Sequence, residues 1–307
     1  MTIASEVAGL VGITPSSCHR IANSAGKRYK VFFIPKRRMG QLRQVAQPSK
    51  EVKAVQRAIV EKLRPLLPVH DSATAYKCGS SILLNADRHK QARFITKLDF
   101  ASFFPSVNAQ TVAQMLRARL PEIIDSDITF ILSACLWRGD GPHALCIGAP
   151  SSPLLSNAVM FDFDSKVSEF CADLGVIYTR YSDDITLSSR EPNVLGEIEG
   201  QVRRVCREMT HPSLTINESK RVAVGRGAAM RVTGLTLANQ GVVTVGRLRK
   251  RGVRAGLDRF LRGPASDVER ARLRGEVAFV LSIEPHFRDV LIRTYGMDVM
   301  DMLPAVT

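Results

Sequence analysis

Val176-Ile177-Tyr178-Thr179-Arg180-Tyr181-Ser182-Asp183-Asp184-Ile185-Thr186-Leu187-Ser188 is the stretch that decides how this chain reads. β-Branched and aromatic residues flank two adjacent aspartates, the pattern of two short strands meeting at a tight acidic tip. Neighbouring carboxylates at a tip repel each other, so the pair is most useful where a divalent cation takes up the charge. Taken without its surroundings, the same pair also fits an ordinary solvated turn, since aspartate favours turns. A second segment bears on that choice. Arg93 to Leu98 is strand-like and ends in Asp99-Phe100-Ala101-Ser102-Phe103-Phe104-Pro105. The Asp99 carboxylate thus sits where strand gives way to loop, the usual place for a ligand group in a sheet-based site. If this strand lies beside the hairpin, Asp99, Asp183 and Asp184 converge, and three acids can hold two Mg2+ ions together with substrate phosphates. Two ions about 3.5 to 4 Å apart stabilise the attacking and leaving oxygens of an in-line phosphoryl displacement. Nucleotidyl transfer is the expected reaction class.

The chain has 307 residues, of which 45% are hydrophobic and 23% charged, and it is long enough for one multi-lobed unit or two domains. No apolar run approaches the roughly 18 residues that would span a membrane. The N-terminus lacks a basic segment ahead of an apolar core, so no secretory signal and no membrane partner are expected. Six cysteines are scattered without close pairs, which argues for reduced thiols in the cytoplasm and against a zinc site. The net charge of +14 is unevenly spread: residues 20–64 hold 13 Lys/Arg against 2 acids, and residues 221–274 hold 13 against 3. The rest of the chain is net acidic. Two basic blocks flanking an acidic centre point to a phosphate backbone as partner, with binding that weakens steeply with salt.

Along the chain, residues 3–24 read as two short helices broken at Gly12-Ile13-Thr14-Pro15, with Thr14 as N-cap and Pro15 at the first helical position. We take them as a helical cap rather than a DNA-reading helix-turn-helix. Tyr29–Ile34 and Leu42–Ala46 read as strands joined by the basic turn Pro35 to Gln41. Residues 50–64 form an amphipathic helix with Val52, Val55, Ile59 and Leu63 on its core face. Helices are expected over 108–119 and 122–138, where Ile123, Ile124, Ile128, Ile131 and Leu132 are core. A further helix begins near Pro153 with Ser152 as its cap, and another spans about 194–209. Arg231 to Leu237 and Val242 to Thr244 pair as a hairpin turning at Asn239-Gln240-Gly241. Arg247-Leu248-Arg249-Lys250-Arg251 opens a basic helix that sets Arg247, Arg251 and Arg254 on one face, with Leu248, Val253, Leu257 and Phe260 available for packing. Helices near 266–283 and 285–295 follow.

The Asp99 segment, Gly148-Ala149-Pro150-Ser151-Ser152-Pro153, Tyr181-Ser182-Asp183-Asp184, Leu214-Thr215-Ile216-Asn217-Glu218-Ser219-Lys220 and Val232-Thr233-Gly234 resemble, in order and spacing, the successive palm motifs of reverse transcriptases. Within that superfamily the chain is similar to the bacterial retron enzymes. Those carry an Asn-Ala-x-x-His element ahead of the first catalytic aspartate, here Asn85-Ala86-Asp87-Arg88-His89, and a Val-Thr-Gly element after the palm. The resemblance covers roughly residues 28 to 285. It implies an α+β right-hand polymerase fold: a helical cap over 1–27, fingers over 28–92, a palm over 93–230 with inserted fingers helices near 108–145, and a primer grip and helical thumb over 231–307.

The resemblance also implies roles. Asp99, Phe100, Asp183 and Asp184 make up the metal set, for two Mg2+ ions with Mn2+ as a possible substitute. Lys220 lies near the leaving pyrophosphate, where an ammonium can stabilise charge or donate a proton; an ordinary surface lysine is the alternative. Arg43 is the leading candidate to hold the triphosphate of the incoming deoxynucleotide, since a guanidinium pairs bidentately with phosphate oxygens. Lys36, Ser102, Phe103, Gly148, Ala149 and Pro150 join it in the nucleotide site. Phe104 stands where these enzymes place an aromatic gate against the 2′-hydroxyl, with a core phenylalanine as the alternative. Arg37, Arg38, Asn85, His89, Tyr181, Ser182, Val232, Thr233, Gly234, Arg247, Lys250, Arg251 and Arg254 are the expected nucleic-acid contacts. His89 is read as a structural group or an RNA contact, not as a general base.

The chain departs from the family pattern at Ile147, where glutamine is usual, and an aliphatic group cannot supply the amide's hydrogen bonds. At subfamily level the resemblance implies a structured non-coding RNA as template and primer (msr/msd-like), copied from an internal 2′-hydroxyl into a branched RNA–DNA product. An accompanying effector protein in defence against phage is also implied, with ribonuclease H supplied in trans because no such segment follows the thumb. Two rival readings are a group II intron-like or stand-alone bacterial reverse transcriptase, and an RNA-binding scaffold that sequesters a partner protein.

Overall fold

A computed structural model describes residues 2–35, 42–139, 143–263 and 266–296. The chain runs α1 (Ile3–Val11), α2 (Pro15–Ser24), β1 (Tyr29–Pro35), β2 (Leu42–Pro48), α3 (Lys50–Leu63), α4 (Ile82–Arg88), β3 (Phe94–Asp99), α5 (Phe103–Ser106), α6 (Ala109–Arg119), α7 (Asp125–Cys135), α8 (Ser152–Val159) and α9 (Phe161–Asp173). It continues with β4 (Ile177–Tyr181), β5 (Asp184–Ser189), α10 (Val194–Glu208), β6 (Val222–Gly225), β7 (Arg231–Val232), β8 (Leu235–Leu237), β9 (Val243–Thr244), α11 (Arg247–Arg262), α12 (Asp267–Ile283) and α13 (Phe287–Tyr295). The expected α+β class holds, with helices packed around short, largely antiparallel sheets. Among the described residues no helix is long and apolar enough to cross a membrane.

The chain divides into two compact units, one of residues 1–80 and 96–223, the other of residues 81–95 and 224–307. In the first, α1, α2, α3, α6, α7 and α8 share an apolar core that includes Val55, Ile59, Leu63, Leu116, Ile131 and Leu155. The predicted stripe of α3 is buried at all four positions, each such side chain contributing about 2 kcal/mol. Local signals set the helix starts: Thr14 Oγ1 accepts the Ser17 N–H at 3.2 Å, and Pro15 fills the first position of α2. The central sheet has the order β4-β5-β3-β6, which brings the end of β3 alongside the β4–β5 hairpin. The second unit has its own core, in which Ala86 and Ala92 meet Val232, Leu235, Val253, Leu257, Val280 and Leu291.

Several expectations shift. Residues 81–95 group with the C-terminal region instead of the fingers segment 28–92, because α4 packs against β7, β8 and β9. α7 begins at Asp125, not 122, which leaves Ile124 half exposed ahead of the helix instead of in the core. The 231–237 run is two strands, since Thr233 and Gly234, at φ of 46° and 83°, make a two-residue turn inside it. α8 starts one residue earlier than predicted. Ser152 therefore lies within it and ties down the preceding loop, donating from Oγ to the Cys146 carbonyl at 2.8 Å. Leu248 is 73% exposed, while Val253 and Leu257 of the same helix are buried.

Candidate active site

The expected hairpin forms with Tyr181 paired to Asp184, so Ser182 and Asp183 are its two-residue turn. Ser182 has φ 60°, a left-handed conformation that strains any residue with a Cβ. The end of β3 is bonded directly to that turn: the Phe100 N–H donates to the Asp183 carbonyl at 3.1 Å. On the other side, the Asp99 carbonyl accepts the Asn217 N–H at 2.7 Å and the Ala101 N–H donates to the Thr215 carbonyl at 2.8 Å. The predicted strand at 214–216 thus reduces to a short ladder beside Phe100. It leads into a single 3-10 turn, Glu218–Lys220, that aims Lys220 back at the site, where its Nζ donates to Asp99 Oδ1 at 2.6 Å.

Asp99, Asp183 and Asp184 therefore meet, and the two carboxyls of the hairpin feel the crowding. Burial raises the Asp183 carboxyl and the Asp99 charge adds to it, while its own backbone, Lys220 and Arg43 pull the other way. Burial pushes Asp184 up to about 6, opposed by Lys97 and reinforced by Asp183 and Asp99. Buried carboxylates that disfavour one another's charge are what a cation relieves. Among the described residues no group of three or more His, Cys, Asp or Glu side chains is placed to hold a metal ion by itself. A Mg2+ site needs none, because the ion takes one or two carboxylates and completes its shell with water and substrate phosphates. The donor set fits a divalent cation on those terms.

Around the acids, Arg43 is exposed on β2 and close enough to favour the charged form of Asp183. Ser102 is exposed with φ 47°, Phe103 is buried and stacked on Phe100 with centroids 5.6 Å apart, and Phe104 is half-buried against the core of the first unit. Gly148 has φ 113°, and a Cβ there would stand 2.8 Å from the Ala46 carbonyl oxygen. The need for glycine is thus a close approach to the β2 backbone, where the Ala46 N–H also donates to the Ile147 carbonyl at 2.9 Å. That is a structural need for glycine in addition to the expected approach of a nucleotide. Ala149 is buried, Pro150 partly so, and Tyr181 is half-buried. Lys36, Arg37 and Arg38 lie outside the described residues.

The expected nucleic-acid contacts in the second unit divide by exposure. Asn85, His89 and Val232 are at most 1% exposed, so their side chains offer no surface to a strand. Burial, with Arg88 nearby, lowers His89 to about 3 and keeps it neutral. The Thr233 hydroxyl donates to the Ile82 carbonyl at 3.0 Å, which joins the Val-Thr-Gly turn to the first turn of α4. These two sequence elements are one packed assembly. Gly234, Arg247, Arg251 and Arg254 are exposed. Lys250 is partly buried and donates to the buried Glu284 at 2.8 Å. Arg247, Arg249 and Lys250 crowd the first turn of α11, where the helix dipole disfavours cations and favours an anion. In the first unit, Lys27, Arg28, Lys30, Lys50 and Lys53 line one open depression.

Two residues of the site escaped the sequence reading. Lys97 lies on the same face of β3 as Asp99, two residues before it, and favours the charged form of Asp184. Arg180 is fully buried behind the hairpin turn, in contact with Asp164 and the Ser182 carbonyl. A single arginine within an apolar, β-branched strand beside the acidic tip was its available signal.

The family model described as reverse transcriptase (RNA-dependent DNA polymerase) matches residues 34–237. The chain is 38% identical over 272 residues to the Retron Ec83 reverse transcriptase of Escherichia coli, which covers 87% of each chain. It is 30% identical over 266 residues to the Retron Ec86 reverse transcriptase of Escherichia coli, covering 85% of this chain and 78% of that one. Among solved structures, telomerase from Candida albicans in complex with a fragment of telomeric RNA is similar with a TM-score of 0.49 at 13% identity. That match covers 92% of this chain and 56% of the telomerase, so the chain spans little more than half of it.

Proposed function

Because the chain belongs to the reverse transcriptase family, in its retron branch, and is an RNA-directed DNA polymerase, we propose that Asp99, Asp183 and Asp184 are its polymerising centre. The observation that carries this reading is the bond from the Phe100 N–H to the Asp183 carbonyl, which ties the β3 end to the hairpin tip and gathers the three carboxylates. Asp99 and Asp183, with Asp184 and the Phe100 carbonyl, would hold two Mg2+ ions, or Mn2+ in their place. When bound, such cations neutralise the triphosphate and assist attack of the primer hydroxyl on the α-phosphorus. Lys220, whose Nζ donates to Asp99, would stand beside the leaving pyrophosphate. Arg43 and Lys36 take the triphosphate, Ser102, Phe103 and the Gly148-Ala149-Pro150 loop shape the nucleotide pocket, and Phe104 lies under the sugar. Lys97 moderates the charge at Asp184.

The template we propose is a structured non-coding RNA, primed from an internal 2′-hydroxyl to give a branched RNA–DNA product. Within the first unit Lys27, Arg37, Arg38, Tyr181 and Ser182 are the proposed RNA contacts; within the second they are Arg247, Arg251 and Arg254 on the exposed face of α11. Thr233 and Gly234 would meet it at the turn, while Asn85, His89 and Val232 support that turn from inside. Fingers and palm would then lie within residues 28–80 and 96–223, and the primer grip and thumb within 224–307 together with residues 81–95. A role in phage defence with an effector protein, a separate ribonuclease H and a reducing cytoplasm suited to six unpaired thiols complete the reading. The test is sequencing of the nucleic acid that copurifies, with and without debranching. A discrete RNA joined 2′–5′ to DNA is expected; unbranched DNA primed from a 3′ end would overturn the retron priming.

A further inference from the structure

We propose that Arg180 is a positioning residue of the polymerase centre, whose guanidinium holds the Ser182 carbonyl and thereby fixes where Asp183 and Asp184 stand. The inference rests on the assignment of those aspartates given above. Arg180 and Asp164 are both fully buried. Nε and Nη2 of Arg180 donate to the two Asp164 oxygens at 2.8 and 2.6 Å, a bidentate fork that orients the guanidinium plane. That orientation leaves Nη1 to donate to the Ser182 carbonyl at 2.9 Å and to Asn157 Oδ1 at 3.3 Å. Tyr178 Oη donates to Asp164 Oδ1 at 2.6 Å, and Asn157 Nδ2 donates to the Ala75 carbonyl at 2.9 Å. Both partners of the arginine are thus themselves held, Asp164 by Tyr178 of the same strand and Asn157 by the loop at Ala75.

The consequence lies in the turn. Its two residues present consecutive carbonyls, and each is pinned from a different side: Ser182 by Arg180 from the interior, Asp183 by the Phe100 N–H at the end of β3. Ser182 holds a left-handed φ that a serine does not prefer, and such a conformation persists only where its surroundings over-determine it. Release of the first carbonyl would let the turn relax to a commoner geometry and swing the two carboxylates relative to Asp99. A buried ion pair is a weak device for stability, because desolvation offsets much of its attraction and apolar residues of similar volume often replace it without loss. Arginine is the side chain that can occupy a carboxylate and a carbonyl at once from a rigid plane; lysine cannot. The registry of the acidic tip is therefore what this pair supplies.

The experiment compares wild type, Arg180→Lys, the apolar double variant Arg180→Met with Asp164→Leu, and Tyr178→Phe. Each is assayed by thermal melting, primer extension on an RNA template, and Mn2+ binding followed by electron paramagnetic resonance. Both Arg180 variants are expected to fold and to bind template-primer as wild type does. Their kcat should fall at least about 30-fold with the KM for deoxynucleotide within about threefold, and their Mn2+ affinity should fall at least about tenfold. Tyr178→Phe perturbs the same buried pair without touching Ser182 and should stay within about threefold of wild type on every measure. Folded Arg180 variants with unchanged kcat and Mn2+ affinity would overturn the proposal. So would failure of both to fold, which would make the pair a folding requirement instead. Absence of Mn2+ binding and synthesis in wild type itself would instead sink the assignment of the aspartates.

Discussion

Replacing Asp184 with asparagine is predicted to stabilise the metal-free protein while abolishing synthesis. Burial and the nearby charges of Asp183 and Asp99 push the Asp184 carboxyl up to about 6 against the opposing pull of Lys97. An aspartate in an unfolded chain titrates near about 3.9. Between those values the folded state binds more protons than the unfolded state, so stability falls as pH rises through that window and levels off above it. Two pH units at about 1.4 kcal/mol each put the effect at about 3 kcal/mol above pH 6. Asparagine keeps the shape, carries no charge, and can donate to Asp99 as the protonated acid would. The gain should therefore be near zero at about pH 4, grow through pH 5, and plateau at about 2 to 3 kcal/mol above pH 6. Denaturant titrations in EDTA across that range measure it. Added divalent cation should reverse the ranking, since a ligand at a hundredfold its Kd stabilises the wild type by about 2.7 kcal/mol and the variant by much less. A variant less stable than wild type at pH 8 in EDTA, or a gain independent of pH, would refute the reasoning.

Phe104→Ala should admit ribonucleotides, raising their use relative to deoxynucleotides by about tenfold or more, a change of at least about 1.4 kcal/mol in discrimination; an unaltered ratio in primer extension removes the gate. Gly148→Ala places a methyl group 2.8 Å from the Ala46 carbonyl at a φ of 113°. It should lower stability by about 1 to 3 kcal/mol and raise the KM for deoxynucleotide, because the displaced strand carries Arg43; a silent substitution in both melting and kinetics contradicts the close approach. RNA affinity should fall at least about tenfold between 50 and 200 mM salt, and Arg251→Gln with Arg254→Gln should make the log–log salt slope shallower by about 1 for each phosphate no longer neutralised. A slope that is unchanged in filter-binding titrations would take α11 out of the interface.

The acidic tip and the β3 carboxylate were legible because they are local: a period-two pattern interrupted by aspartates, and a strand that ends in an acid. The Thr14–Pro15 helix start was legible for the same reason. What the chain concealed is non-local. Asp164 on α9 and Arg180 on β4 stand 16 residues apart with no mark of a pairing, and only the fold shows that they are buried against each other beside Ser182. Asn85 reads as an RNA contact and His89 as either an RNA contact or a structural group; α4 packs against strands more than 140 residues away and takes both inside, a choice no local pattern makes. Gly148 reads as a position that needs glycine, and its crowding by the β2 strand a hundred residues earlier is not visible in the sequence. The Thr233–Gly234 turn was missed because the apolar run continues across it, and the positive φ of a threonine has no clear sequence signature.

The most direct measurement is anomalous diffraction from crystals of the enzyme with template-primer, a non-hydrolysable deoxynucleotide and Mn2+. Two anomalous peaks bounded by Asp99, Asp183 and Asp184, and lost in Asp183→Asn with Asp184→Asn, are expected. Mn2+ bound elsewhere, with those three side chains turned away from the nucleotide, would contradict the account.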